Sequence, residues 1–332
     1  MVRFFMGAFV CLFLATLSFS AQALECHLDS VQGITEEVED FGSIRIPMDL
    51  PVGARLWTSK QITRTMVCWA PPNAMSDEGI YLYPNPDQIA LPPGISFGLI
   101  YNGKDEGKFG EKIYSGNRVP GGWKPSEGPR TSTFSIRYQV YLERTGPIGD
   151  IERLNLDMPI FQLDGVYGVN KERGKNYRYT LKGTMDEIQC SVSLTLPQSI
   201  NFGSMTTWEG PGNNTPVASQ SFSIGVSKRN CGTVNTDFSL NAIFDTRTND
   251  ASLPNNTQPP GTVSTMMDLG NGLGMTLQDS DGRAVSFNTP QPFVNMAGIT
   301  DTTKRYTATL VAKGEAKEGP FNRPLILLVN YL

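Results

Sequence analysis

Apolar and polar residues alternate with a period of two along much of this chain. Phe134, Ile136, Tyr138, Val140 and Leu142 form one such run, and the stretch from Cys190 to Leu196 forms another. Ile44 to Ile46 and Pro51 to Trp57 alternate around a Gly turn, and Ile62, Met66 and Cys68 follow. Alternation of this kind marks half-buried strands. No long stretch carries the helical period, and 33 Gly and 23 Pro supply many turns. The pattern predicts an all-β protein with little helix. Gly94 to Gly128 breaks the alternation. It is rich in Gly, Pro and charge, holds Tyr101-Asn102-Gly103, Tyr114 to Asn117 and Gly121-Gly122-Trp123, and reads as long loops of functional or disordered character. Gly270-Asn271-Gly272 and Asp279 to Gly282 read as turns between strands rather than a dinucleotide fingerprint or a calcium loop.

The first 23 residues are expected to be a signal peptide. Arg3 is the basic residue, Phe4 to Ser18 the apolar core, and Ala21-Gln22-Ala23 the cleavage site, so the mature chain begins at Leu24. About 309 residues remain, enough for two domains of ordinary size. Without Arg3, 27 basic residues face 32 acidic ones, a balance that argues against nucleic acid as a partner.

Four cysteines stay in the exported chain: Cys26, Cys68, Cys190 and Cys231. An even number in this setting implies disulfides, with three possible connectivities. The near-equal spacings and the separate halves favour Cys26–Cys68 and Cys190–Cys231, one bridge per domain. No C-x-x-C occurs and His27 is the single imidazole, so neither a metal site nor a His-based triad is indicated. No G-x-S-x-G, H-E-x-x-H or phosphate loop occurs, and no cofactor is implied.

The last stretch, Gly319 to Leu332, decides the reading. Leu325, Leu327, Val329 and Tyr331 share one face, and Ile326, Leu328 and Asn330 the other. A strand this apolar needs a buried place, yet only Leu332 follows Tyr331. A penultimate Tyr, a Gly fourteenth from the end and the alternation between them resemble the C-terminal signature of chaperone–usher pilins. Cys190 to Gly203, Phe222 to Val226 with Cys231, Gly270 to Asp279 and Tyr306 to Ala312 also resemble pilin strands. Over the first half, Cys26 and Cys68 with the Val-Gly-x-x-Leu stretch between them, Asp164 to Asn170 and Asn176 to Gly183 resemble two-domain fimbrial tip adhesins.

The resemblance implies two immunoglobulin-like β-sandwiches: a lectin-like adhesin domain over 24–187 and a pilin domain over 188–332 that lacks its last strand, with Gly183 to Gln189 as linker. Leu325, Leu327, Val329 and Tyr331 would line a groove filled first by a strand from a periplasmic pilus chaperone, then by one from the adjacent fimbrial subunit, with an outer-membrane usher between. Only Leu24 and Glu25 precede Cys26 in the expected mature chain, too few to donate a strand, which implies a place at the fibre tip. The ligand would be a glycan or glycoprotein on a host or other surface. In the mannose-binding adhesin of type 1 fimbriae, the loop after the second Cys and a later loop converge on the sugar. The matching residues here are Trp69, Asn73 and Asp77, and Tyr167, Asn170 and Glu172, with Trp123 a separate aromatic candidate. Trp69 and Tyr167 as core residues, and the polar ones as turn formers, is the competing reading. A structural adapter or initiator subunit, and a secreted carbohydrate-active enzyme, are the alternative functions.

Overall fold

The computed structural model describes residues 24–72, 74, 76–148, 153–204, 215–232, 237–247, 265–314, 317–319 and 321–332. The expected signal peptide and Asn73 lie outside them. The described residues form β-strands and no helix.

Residues 24–188 carry β1 (Glu25–Leu28), β2 (Glu36–Pro47), β3 (Arg55–Thr58), β4 (Ile62–Trp69), β5 (Glu78–Pro84), β6 (Ile95–Tyr101), β7 (Lys104–Lys108), β8 (Ile113–Val119), β9 (Thr131–Arg144), β10 (Leu154–Asp164) and β11 (Arg178–Ile188). One sheet runs β1-β4-β9-β6-β7, with β3 also on β9, and the facing sheet runs β2-β11-β10-β5-β8. The period-two run decides how β9 lies: Ile136, Tyr138, Val140 and Leu142 are all buried against Met158, Ile160 and Tyr179 of the facing sheet. Cys26 sits directly opposite Cys68 in the β1–β4 register, and the two are bonded.

Two expectations fail here. Gly94 to Gly128 is not one long loop, because it holds β6, β7 and β8. Ile95, Phe97, Leu99 and Tyr101 alternate into the core. The β6–β7 hairpin turns on Asn102-Gly103, whose φ values of 50° and 86° are the left-handed pair that an Asn-Gly turn supplies. Gly183 to Ile188 is not a linker either. These residues continue β11, paired in parallel with β2 as far as Pro47.

The C-terminal part carries β12 (Ser191–Thr195), β13 (Thr215–Arg229), β14 (Ser239–Asp245), β15 (Met267–Gly270), β16 (Leu273–Asp279), β17 (Gln291–Asn295), β18 (Asp301–Ala312) and β19 (Ile326–Tyr331). The sheets are β12-β13-β18-β16-β15 and β17-β14-β19. Between them lies a second core of Ile224, Val226, Phe244, Met275, Leu277, Leu310 and their neighbours, separate from the first. Cys190 and Cys231, just beyond the ends of β12 and β13, are bonded.

The two units meet on the outer face of the β14–β19 sheet. Asn330 donates from Nδ2 to Thr58 O at 2.7 Å and accepts from Thr58 N at 2.9 Å. Gln139 Nε2 donates to Asn288 O at 2.9 Å, and Leu50 packs against both cores.

Candidate functional site

Among the described residues, β12 and β19 are each paired on one edge only, and they end their sheets on the same side of the second core. An intact sandwich would close this gap with a strand. Here it is a cleft of about 460 Å³ whose floor is the core itself, including Phe222, Ile224, Phe244 and Met275. Leu196, Ile200 and Phe202 form one wall, and Leu325 and Leu327 the other. Leu325, Leu327, Val329 and Tyr331 all turn toward that core, the first three only partly covered. The far end is shut by Tyr331, whose hydroxyl accepts from Val192 N at 3.0 Å. Burial pushes its phenol up to about 12, so it stays neutral. An unpaired apolar edge above an open core is an association site unless something covers it.

The first unit places its candidate residues differently from one another. Trp69 and Trp123 are buried together with Val67. Trp69 packs edge-on against His27 at 4.7 Å, and the Trp123 indole donates to Ala70 O at 2.8 Å. Asp77 is exposed and accepts from Gly121 N at 3.2 Å. Asn170 braces its own loop: its side chain accepts from Glu172 N at 3.0 Å, and its N–H donates to Asp164 at 2.5 Å. Glu172 is exposed and lines a small crevice that contains none of the other candidates. Tyr167 is 88% exposed.

Asp164 organises this loop. Fully buried, it accepts from Gly165 N, Asn170 N and Gln162 Nε2. Burial pushes its carboxyl up to about 6. Gly165 follows because a Cβ there would fall 1.8 Å from Glu78 Oε1. The Glu78 carboxylate instead accepts from Val166 N at 3.0 Å, tying the start of β5 to the Tyr167 loop. Burial raises Glu78 as well.

Beside this junction lies a surface that the candidate residues did not include. The alternation in β5 turns Leu82 inward and leaves Tyr81 and Tyr83 half-exposed. Tyr114 of β8 packs on Tyr81 with ring centroids 5.3 Å apart and is 47% exposed. Lys112 Nζ sits 4.6 Å from the Tyr81 centroid and donates to Val166 O at 2.6 Å. Tyr83 OH donates to Gly165 O at 2.6 Å. Tyr81-Leu82-Tyr83 was a visible signal. Its pairing with Tyr114 depends on the β5–β8 register and was not.

Residues 179–331 match the family model described as "Fimbrial protein". The chain is similar to the CupB6 tip adhesin from Pseudomonas aeruginosa at 16% identity and a TM-score of 0.31, covering 92% of this chain and 93% of that one. It is also similar to the receptor binding domain of the plasmid-born adhesin MrkD1P of Klebsiella pneumoniae at 14% identity and a TM-score of 0.30, covering 51% and 98%. A chain from a chaperone–tip adhesin complex of CFA/I fimbriae matches at 11% identity and a TM-score of 0.25, covering 94% and 86%. Over residues 179–331, the chain thus carries a domain of the fimbrial protein family.

Proposed function

We propose that this protein is a two-domain adhesin of a chaperone–usher fimbria. Residues 188–332 form the fibre-attachment domain and residues 24–187 the ligand-binding domain. The observation that carries the reading is the open groove between β12 and β19, with the second core as its floor. A strand laid there would pair with the free edges and cover Leu325, Leu327 and Val329, which is β-augmentation. The periplasmic chaperone supplies that strand first, and the adjacent subunit supplies it after passage through the usher. Leu24 to Leu28 are tied into the first sheet and are not available as a donated strand, which supports a place at the tip.

The first domain acts by binding, not by turnover, and its ligand is a surface glycan. Tyr81, Tyr114 and Tyr167 offer ring faces for apolar sugar faces, and Lys112 and Glu78 stand beside them for hydroxyls. Asp77 adjoins Glu78, and Asn170 and Glu172 follow Tyr167 along its loop, Glu172 in a separate crevice. Two experiments test the reading. Deleting residues 325–332 should abolish co-purification with a pilus chaperone, and undiminished capture would refute the groove. A glycan array should give hits that fade on Tyr114→Ala and Tyr167→Ala. An array without hits, with fibres still assembling, would favour the structural adapter instead.

A further inference from the structure

The outward face of the β5–β8 pair gathers three tyrosines and a cation. Leu82 and Ile113 are opposite each other in the register and pack on the core. The alternation therefore puts Tyr81 and Tyr83 of β5 and Tyr114 of β8 on the other face, with Lys112, just ahead of β8, on the same side. Lys112 Nζ lies 4.6 Å from the Tyr81 centroid and 5.8 Å from that of Tyr83, and its bond to Val166 O fixes it there. The ammonium is thus held over two rings, beside Tyr114 and the Tyr167 loop.

A cleft of about 470 Å³ opens here, of a size that suits a small ligand. Lys112 and Tyr114 line it together with Lys104, Lys108 and Glu111. Lys104 is paired with Glu106 at 2.9 Å, and Lys108 with Glu143 at 3.7 Å. Among the described residues, Lys112 is in no ion pair, with its exposed neighbour Glu111 or with any other carboxylate. The carboxylates packed on the Tyr167 loop are committed to its main chain: Glu78 accepts from Val166 N, and Asp164 from Gly165 N and Asn170 N. An ammonium has three donors, and Val166 O takes one.

We propose that the sugar held on this surface carries a single carboxylate, as a uronate or a sialate does, and that the carboxylate sits on Lys112 while the sugar ring lies on Tyr114. The inference rests on the glycan reading above and adds the charge of the ligand. A run of sulfates does not fit, because the other two lysines of the cleft already have partners. The rings and Val166 O hold the cation in place before the ligand arrives, so little side-chain freedom is lost on binding.

The test titrates the full mature chain, in complex with a pilus chaperone, with matched oligosaccharides. One ends in glucuronate, one in sialate, and each has a carboxyl-reduced counterpart. An acidic sugar should bind roughly fivefold tighter than its reduced form. A preference within the first pair identifies a uronate, and within the second a sialate. Lys112→Arg should keep the preference, and Glu111→Gln should enlarge it by removing a like charge. Lys112→Met should abolish it, the acidic sugar losing more than the reduced one. A lysine that only braced the loop would weaken both sugars alike, and that result would overturn the proposal. If Lys112→Met does not fold, the acidic-over-reduced ratio of the unaltered chain in about 0.5 M NaCl decides, and it should fall toward one. A ratio indifferent to salt, or heparin bound more tightly than either acidic sugar, would also overturn it. Acidic and reduced sugars bound equally would overturn it while leaving the glycan reading standing. A chain that binds no sugar, on the array or here, would remove the glycan reading and this inference together.

Discussion

Asn330 is the polar residue in the apolar tail, and its removal tests how the two domains are joined. Its side chain is 2% exposed and bonds both main-chain groups of Thr58, 272 residues away. The amide is needed because it both accepts and donates. Asn330→Ala leaves a buried N–H and a buried C=O without partners, each worth roughly 1–3 kcal/mol. With the interface closed, the loss is about 2–6 kcal/mol. Asn330→Asp should fail as well, since a carboxylate cannot donate to Thr58 O. Thr58 itself provides the control. Its Oγ1 is buried with no partner, so Thr58→Val exchanges an unsatisfied hydroxyl for a methyl and should be neutral or stabilising by about 1 kcal/mol. Urea unfolding of the mature chain measures both, followed by tryptophan fluorescence, with Trp57 adjacent to the contact. An Asn330→Ala midpoint equal to the parent's, with Thr58→Val destabilised, would mean that Thr58 is solvated and the domains do not meet here.

Other consequences are measurable. Asp164 has its carboxyl raised to about 6, so the fold binds its proton more tightly than the unfolded chain does, and its contribution is present below about pH 4 and lost as the pH rises through 6. Burial raises Glu37 too, but bonds from Arg64 and Tyr177 outweigh it and hold it below the usual range, so its opposite effect is confined to more acidic solution. The melting temperature should therefore be higher at pH 5 than at pH 7, and Asp164→Asn should flatten that difference. A rise in stability from pH 5 to pH 7 would contradict the burial argument. Gly103→Ala forces a Cβ into a φ of 86° and should cost about 1 kcal/mol in thermal melts, whereas Gly110→Ala, in ordinary backbone, should cost much less. Reducing Cys190–Cys231 reopens a loop of 41 residues and should lower stability by roughly 3–4 kcal/mol, read as an earlier urea midpoint under reductant.

The tail was legible because its two faces differ over consecutive residues: Leu325, Leu327, Val329 and Tyr331 all turn to the core. The bridges were legible because each closes within one half. The three strands between Gly94 and Gly128 were obscured by short length and exposed charge, as in Lys104 to Lys108, although Asn102-Gly103 signalled a hairpin. Gly183 to Gln189, expected as a linker, carries the end of β11. In the structure Gly183 marks a register shift, and the strand continues on β2. What needs two distant segments stayed hidden. The pairing of Tyr81 with Tyr114 and the Asn330–Thr58 bonds depend on registers that no local pattern encodes.

Hydrogen–deuterium exchange on the mature chain, alone and in complex with a pilus chaperone, tests the central claim most directly. Edge strands open to water exchange quickly and slow when paired. The account predicts new protection over Ser191–Thr195 and Ile326–Tyr331 together, while β9 and β10 of the first domain stay as they were. A complex that forms with no change in either segment would contradict it.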